Sequence, residues 1–143
     1  MNPVLPLERA LSMIKVFVKP GSGSCRSAIK WFKKLDIPFQ LIQLKDLSKE
    51  DLIHILSLTD QGVNQLITQN RGNSSAKGYQ VRKHMDESAS FDDLLELIRA
   101  HPETIKAPII TDEHKLLIGY NDEEIRTFIP RIKRDLQWQQ FLL

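Results

Sequence analysis

A single cysteine, Cys25, is all the thiol chemistry in this 143-residue chain. One cysteine cannot close an internal disulfide, which excludes a disulfide-stapled fold. No stretch approaches the ~18 apolar residues that a membrane-spanning helix needs. Residues 1 to 12 also lack a basic start followed by a long apolar run, the form of a secretory signal. The expectation is a protein of the reducing cytoplasm with no membrane partner. The four histidines, His54, His84, His101 and His114, are scattered. None has metal-ligand spacing to a cysteine or carboxylate, so no metal is expected. Neither a Walker loop nor a dinucleotide fingerprint is present, and no cofactor is expected. Neither sign of charge dominates: 20 Lys and Arg face 18 Asp and Glu, for a net charge of +2. That is too mild to argue nucleic-acid binding by itself. Arg126, Arg131, Lys133 and Arg134 do cluster, but beside Asp122-Glu123-Glu124, and read as a solvated mixed-charge face, with a weak secondary contact to DNA phosphates as the alternative.

What is present suits a globular domain. Hydrophobic content is 41% and charged content 27%, and the length suits one compact domain with a real core. Ile14 to Val18 reads as a buried strand ended by Pro20-Gly21. Ser24 to Leu35 reads as a helix with Ser22 or Ser24 as its cap, broken at Asp36-Ile37-Pro38. Phe39 to Leu44 is a second strand, with Phe39 and Leu41 alternating with polar residues. Ser48 opens another helix ending near Leu58. A turn over Thr59-Asp60-Gln61-Gly62 follows, where Gly62 takes a positive φ or admits a close neighbour. Val63 to Ile67 is a short helix, and Gln69 to Lys83 a polar surface loop. Ser90 caps a helix ending at His101-Pro102. Pro108 to Thr111 and Leu116 to Ile118 form a hairpin, and Asn121 caps a last helix to Pro130. The order β-α-β, helices, β-β-α predicts an α/β fold: a four-stranded mixed sheet flanked by helices, with a helical insertion.

Three stretches, "KVFVKPGSGSCRSAIKWF", "LSLTDQGVNQLI" and "HPETIKAPIITDEHKLLIGYNDEEIRTFIPR", together resemble the Spx family of regulators. That family lies in the arsenate-reductase-like branch of the thioredoxin fold. The resemblance covers residues 13 to 134. It implies a non-enzymatic transcription regulator that binds the C-terminal domain of the RNA polymerase alpha subunit under stress. It also implies contact with promoter DNA only through the polymerase, and turnover by an ATP-dependent protease or its adaptor. Gly62 matches the glycine of the polymerase-binding surface; spacing alone favours a helix end, and the whole Thr59-to-Gly62 match favours the interface. Met13 matches the usual family start, so residues 1 to 12 are an extension or follow a misassigned start codon. Residues 68 to 89 form a polar segment longer than usual, and 135 to 143 a tail whose apolar end an adaptor could read. Arg71, Lys77, Arg82 and Lys83 lie in the polar segment, either near promoter DNA or simply solvated.

The cysteine loop departs from the family pattern. The family's redox pair matches Ser22 and Cys25, so Ser22 stands where the first cysteine would be. No intramolecular disulfide switch can form. Ser22 also matches the nucleophile of arsenate reductases, and a hydroxyl without an adjacent base is a poor replacement. Cys25 lies near a helix start beside Arg26, which favours a thiolate, whereas burial would oppose it. It is read either as a packed core-edge residue or as a single-thiol sensor. The alternative function is a thioredoxin-fold reductase using Cys25 with an external thiol. A family arginine before the Pro-Ile strand is replaced by Ala107, with Lys106 one step earlier; Pro108 matches the fold's proline beside the active loop.

Overall fold

The computed structural model describes residues 14–68 and 90–130. Strand β1 (Lys15–Val18) is the apolar run of the sequence and is almost wholly buried. It leads through a turn into α1 (Gly23–Lys34). Ser22 is the N-cap of α1, in extended conformation, and its side chain accepts a hydrogen bond from the Cys25 amide. At the other end Asp36 adopts a φ of 53°. There the Ile37 amide bonds the Phe32 carbonyl at 3.0 Å and the Asp36 amide bonds the Lys33 carbonyl at 3.2 Å. This paired closure is a Schellman motif, with buried Ile37 and Phe32 in one core cluster as its apolar clasp.

Strand β2 (Gln40–Gln43) runs parallel to β1, with Val16 opposite Leu41 and Phe17 opposite Ile42. The expected strand is shorter than read from the sequence, because Leu44–Asp46 turns into a 3-10 segment. Leu41 is 48% exposed despite its place in the apolar alternation. β2 is an edge strand, and its outer residues lie beyond the cover of α1. Helices α2 (Lys49–Leu58) and α3 (Phe91–Ala100) start at Ser48 and Ser90, whose hydroxyls accept from the Asp51 and Asp93 amides. Strands β3 (Ile109–Thr111) and β4 (Leu116–Ile118) make the expected hairpin, giving the sheet order β2-β1-β3-β4. β1 pairs antiparallel with β3, so the sheet is mixed. The last element is not an α-helix but a 3-10 segment, Glu124–Phe128. Its N-cap is Glu123, and the expected cap Asn121 lies in the turn just ahead, accepting from the Glu123 and Glu124 amides at 2.9 Å each. The segment ends at its C-cap Ile129 after less than two turns, and Pro130 beyond it has no amide hydrogen with which to continue.

Alternation along the central strands divides the core in two. Phe17 and Ile109 face α2 and α3 in one cluster with Leu52, Ile55, Leu95 and Ile98. Val16, Val18 and Ile110 face α1 in another with Cys25, Phe32, Ile125 and Phe128. A salt bridge from Lys15 to Asp51, 2.8 Å long and half-shielded, ties β1 to α2. No helix among the described residues is long and apolar enough to cross a membrane.

Candidate functional site

The cysteine loop and the segment before Pro108 lie at the end of the sheet where β1 stops and β3 begins, and the Gly62 turn is tied to that segment through residues 66 to 68. In the cysteine loop, the Ser22 hydroxyl lies 3.2 Å from the Cys25 amide nitrogen. Ser22 is therefore a helix cap. Cys25 is 3% exposed and packs in the α1-side core. Of its two readings, the packed residue is the one the geometry supports. A thiol excluded from solvent cannot meet an oxidant or an external thiol without local opening.

Lys19 was not singled out in the sequence. It follows β1 directly, and its ammonium donates to the Ile105 carbonyl at 2.7 Å. Burial lowers its pKa from the ordinary lysine value; nearby Cys25 and Glu103 act in the opposite direction. The only signal was its position, a cation between a buried strand and a turn. Its partner lies 86 residues away in sequence, so local pattern could not reveal the contact.

Ala107 is half-buried against both core clusters, and the Ala107–Pro108 peptide is cis. Pro108 is buried, and its carbonyl accepts from the Gly119 amide at 2.8 Å. The Lys106 amide bonds the Leu66 carbonyl at 2.7 Å. With an Ile67–Ile105 bridge and a Thr68–Thr104 bond of 2.8 Å, it clamps the end of the Gly62 turn to the Pro108 segment. Lys19 reaches the same segment from the cysteine loop, so Ile105 and Lys106 connect the two loops.

The Gly62 turn is built around Gln65. Its side-chain oxygen accepts from the Asp60 and Gln61 amides at 3.1 and 3.2 Å. Gly62 has φ +67°, as the sequence predicted, and a Cβ built there meets nothing within 4 Å. The glycine does not end α2, whose C-cap is Thr59; it opens the 3-10 segment Gly62–Gln65. Behind it Leu66 and Ile67 are buried at 1% and 0%, so the turn sits on a fixed base. Asp60, Gln61 and Asn64 are exposed around it. Arg71, Lys77, Arg82 and Lys83 lie outside the described residues, as do residues 1 to 12 and the tail 135 to 143.

The ArsC family model matches residues 17–128. The chain is 38% identical over 124 residues to "Global transcriptional regulator Spx" of Streptococcus pneumoniae (strain ATCC BAA-255 / R6), covering 85% of this chain and 90% of that protein. It is 35% identical over 130 residues to the Bacillus subtilis (strain 168) protein of the same name, covering 90% and 95%. A crystal structure of an ArsC-family-related protein from Bacteroides fragilis superposes with a TM-score of 0.62 at 16% identity, covering 83% of this chain and 99% of that one. That likeness matches the thioredoxin-like sheet described above. The chain belongs to the ArsC family, in its Spx branch.

Proposed function

We propose that the chain regulates transcription by docking the surface around Gly62 onto the C-terminal domain of the RNA polymerase alpha subunit, and that it is not an enzyme. Its relatives' name, global transcriptional regulator, supports the regulatory part. The observation that carries the docking part is the Gly62 turn itself. Gly62 is half-buried between exposed Asp60, Gln61 and Asn64, braced from behind by Leu66 and Ile67 and open where a Cβ would stand, so a partner backbone can approach where any side chain would obstruct it. Promoter sequence is selected through the polymerase complex, and an ATP-dependent protease or its adaptor sets the protein's lifetime. No intramolecular disulfide switch operates, because Cys25 is the only cysteine in the chain. The alternative, a single-thiol reductase, needs an exposed Cys25, and the buried thiol argues against it.

The test is a pull-down with the isolated alpha C-terminal domain. Wild type is retained and Gly62→Arg is not. The open space around Gly62 leaves the variant folded, with a stability loss of about 1 kcal/mol from the positive φ. Absence of binding by the wild type refutes the docking.

A further inference from the structure

Helix α1 breaks a rule that its neighbours keep. α2 and α3 carry acids in their first turns, Glu50 and Asp51 in one and Asp92 and Asp93 in the other. There they meet the positive end of the helix dipole. α1 has no acid in its first turn, nor anywhere from Gly23 to Lys34. It has four cations instead, Arg26, Lys30, Lys33 and Lys34, all exposed. At 100° per residue they fall within about 100° of arc. Buried Cys25, Ala28 and Phe32 occupy the opposite side. None of the four forms a salt bridge with an acid among the described residues, including Asp36 just past the helix end.

Folding does not require this stripe. Lys33 and Lys34 suit the negative end of the dipole, but Arg26 stands near the positive end, where a cation is unfavourable. Arg26 with Lys30, and Lys30 with Lys34, are like-charge pairs four residues apart, and each weakens the helix. A local rule broken with no folding gain is the mark of a surface kept for another purpose.

The stripe is complementary to a regular polyanion. Arg26 to Lys34 spans about 12 Å at 1.5 Å per residue. Each strand of duplex DNA offers a phosphate about every 3.4 Å along the axis, so that length faces about three. A lipid surface fits worse, because an interfacial helix inserts its apolar face, and that of α1 is already buried against the sheet. We propose that the outer face of α1 contacts the phosphates of duplex DNA, without reading sequence, through Arg26, Lys30, Lys33 and Lys34. The choice of DNA as the polyanion rests on the reading of the chain as a transcription regulator. Leu66 and Ile67 anchor the Gly62 turn on one face of the sheet, and α1 covers the other. DNA on α1 and a protein partner at Gly62 can therefore be bound together.

The test is fluorescence anisotropy of the full chain with a labelled mixed-sequence duplex across a salt series. Each phosphate neutralised contributes about −0.9 to the slope of log K against log salt, so wild type shows a slope of about −3 or steeper. Lys30→Gln with Lys33→Gln shallows that slope by about two. Lys45→Gln with Arg126→Gln removes the same charge from exposed positions elsewhere and leaves the slope unchanged. Equal shallowing by both pairs reduces the effect to net charge and overturns the proposal. So does wild type that fails to bind at about 20 mM salt, or that prefers phosphatidylserine vesicles to the duplex. The alpha-domain pull-down separates the two readings. A failed duplex assay beside a positive pull-down removes only the α1 surface, and the reverse result removes only the docking.

Discussion

Replacing Ser22 by alanine measures what its hydroxyl does for α1. The hydroxyl accepts from the Cys25 amide at 3.2 Å, and α1 has no first-turn acid to help hold its free amides. Loss of such a cap costs about 1 kcal/mol. For a chain of this size that lowers the thermal midpoint by roughly 3 °C. Ser22→Asp keeps the acceptor and adds a negative charge at the positive end of the helix, four residues before Arg26. It should raise stability by about 0.3–1 kcal/mol at low ionic strength. The two changes respond differently to salt: about 1 M salt screens the aspartate gain and leaves the alanine loss standing. Circular dichroism melts of the three proteins at low and high salt give the comparison. An alanine variant within about 1 °C of wild type, together with a destabilised aspartate variant, would refute the cap as the role of Ser22.

Cys25, at 3% exposure, should remain unmodified when the folded chain is treated with mild diamide, as read by intact mass. A mixed disulfide formed under native conditions overturns its assignment as a packing residue and restores the single-thiol reading. Lys19 makes stability depend on pH at the alkaline end. Its folded pKa is lowered from 10.5, so just below that pH the unfolded chain binds more protons, and this contribution to stability rises with pH. Tyr120 has the opposite sign: a hydrogen bond to Asp122 raises its pKa from 10.0, so its contribution falls as pH climbs past that value. In a Tyr120→Phe background, adding Lys19→Met should flatten the rise in urea midpoint between about pH 8 and 10.5. An unchanged rise refutes the assignment.

The parts of the fold that local chemistry dictates were legible in the sequence. Ser48 and Ser90 announced their helices, and Ser22 was one of two candidates for the cap of α1. Gly62 announced its positive φ, because a turn between two apolar segments needs it. Leu41 misled, since alternation marks which face a side chain is on but not whether a helix reaches far enough to cover it. The final segment misled for a related reason. Asn121 does bond the amides that lead into it, but the segment starts only at Glu124 and ends at Phe128, and so short a stretch closes as a 3-10 turn. For Cys25, the local cues of helix start and Arg26 pointed toward reactivity. Its burial comes from Val16, Val18 and Ile110 on strands the sequence does not place beside it. Lys19 and Ile105 were invisible as a pair for the same reason.

The serine cap also bears on how an effect of this protein would be graded. A helix cap neither gains nor loses electrons, so the loop has one covalent form whatever the redox state around it. Occupancy of any partner then follows the ratio of free protein to its dissociation constant, rising by mass action. A redox pair multiplies that ratio by the fraction of chains in the competent form. On the proposed docking reading that multiplier is absent, and the graded quantity is the amount of the protein itself.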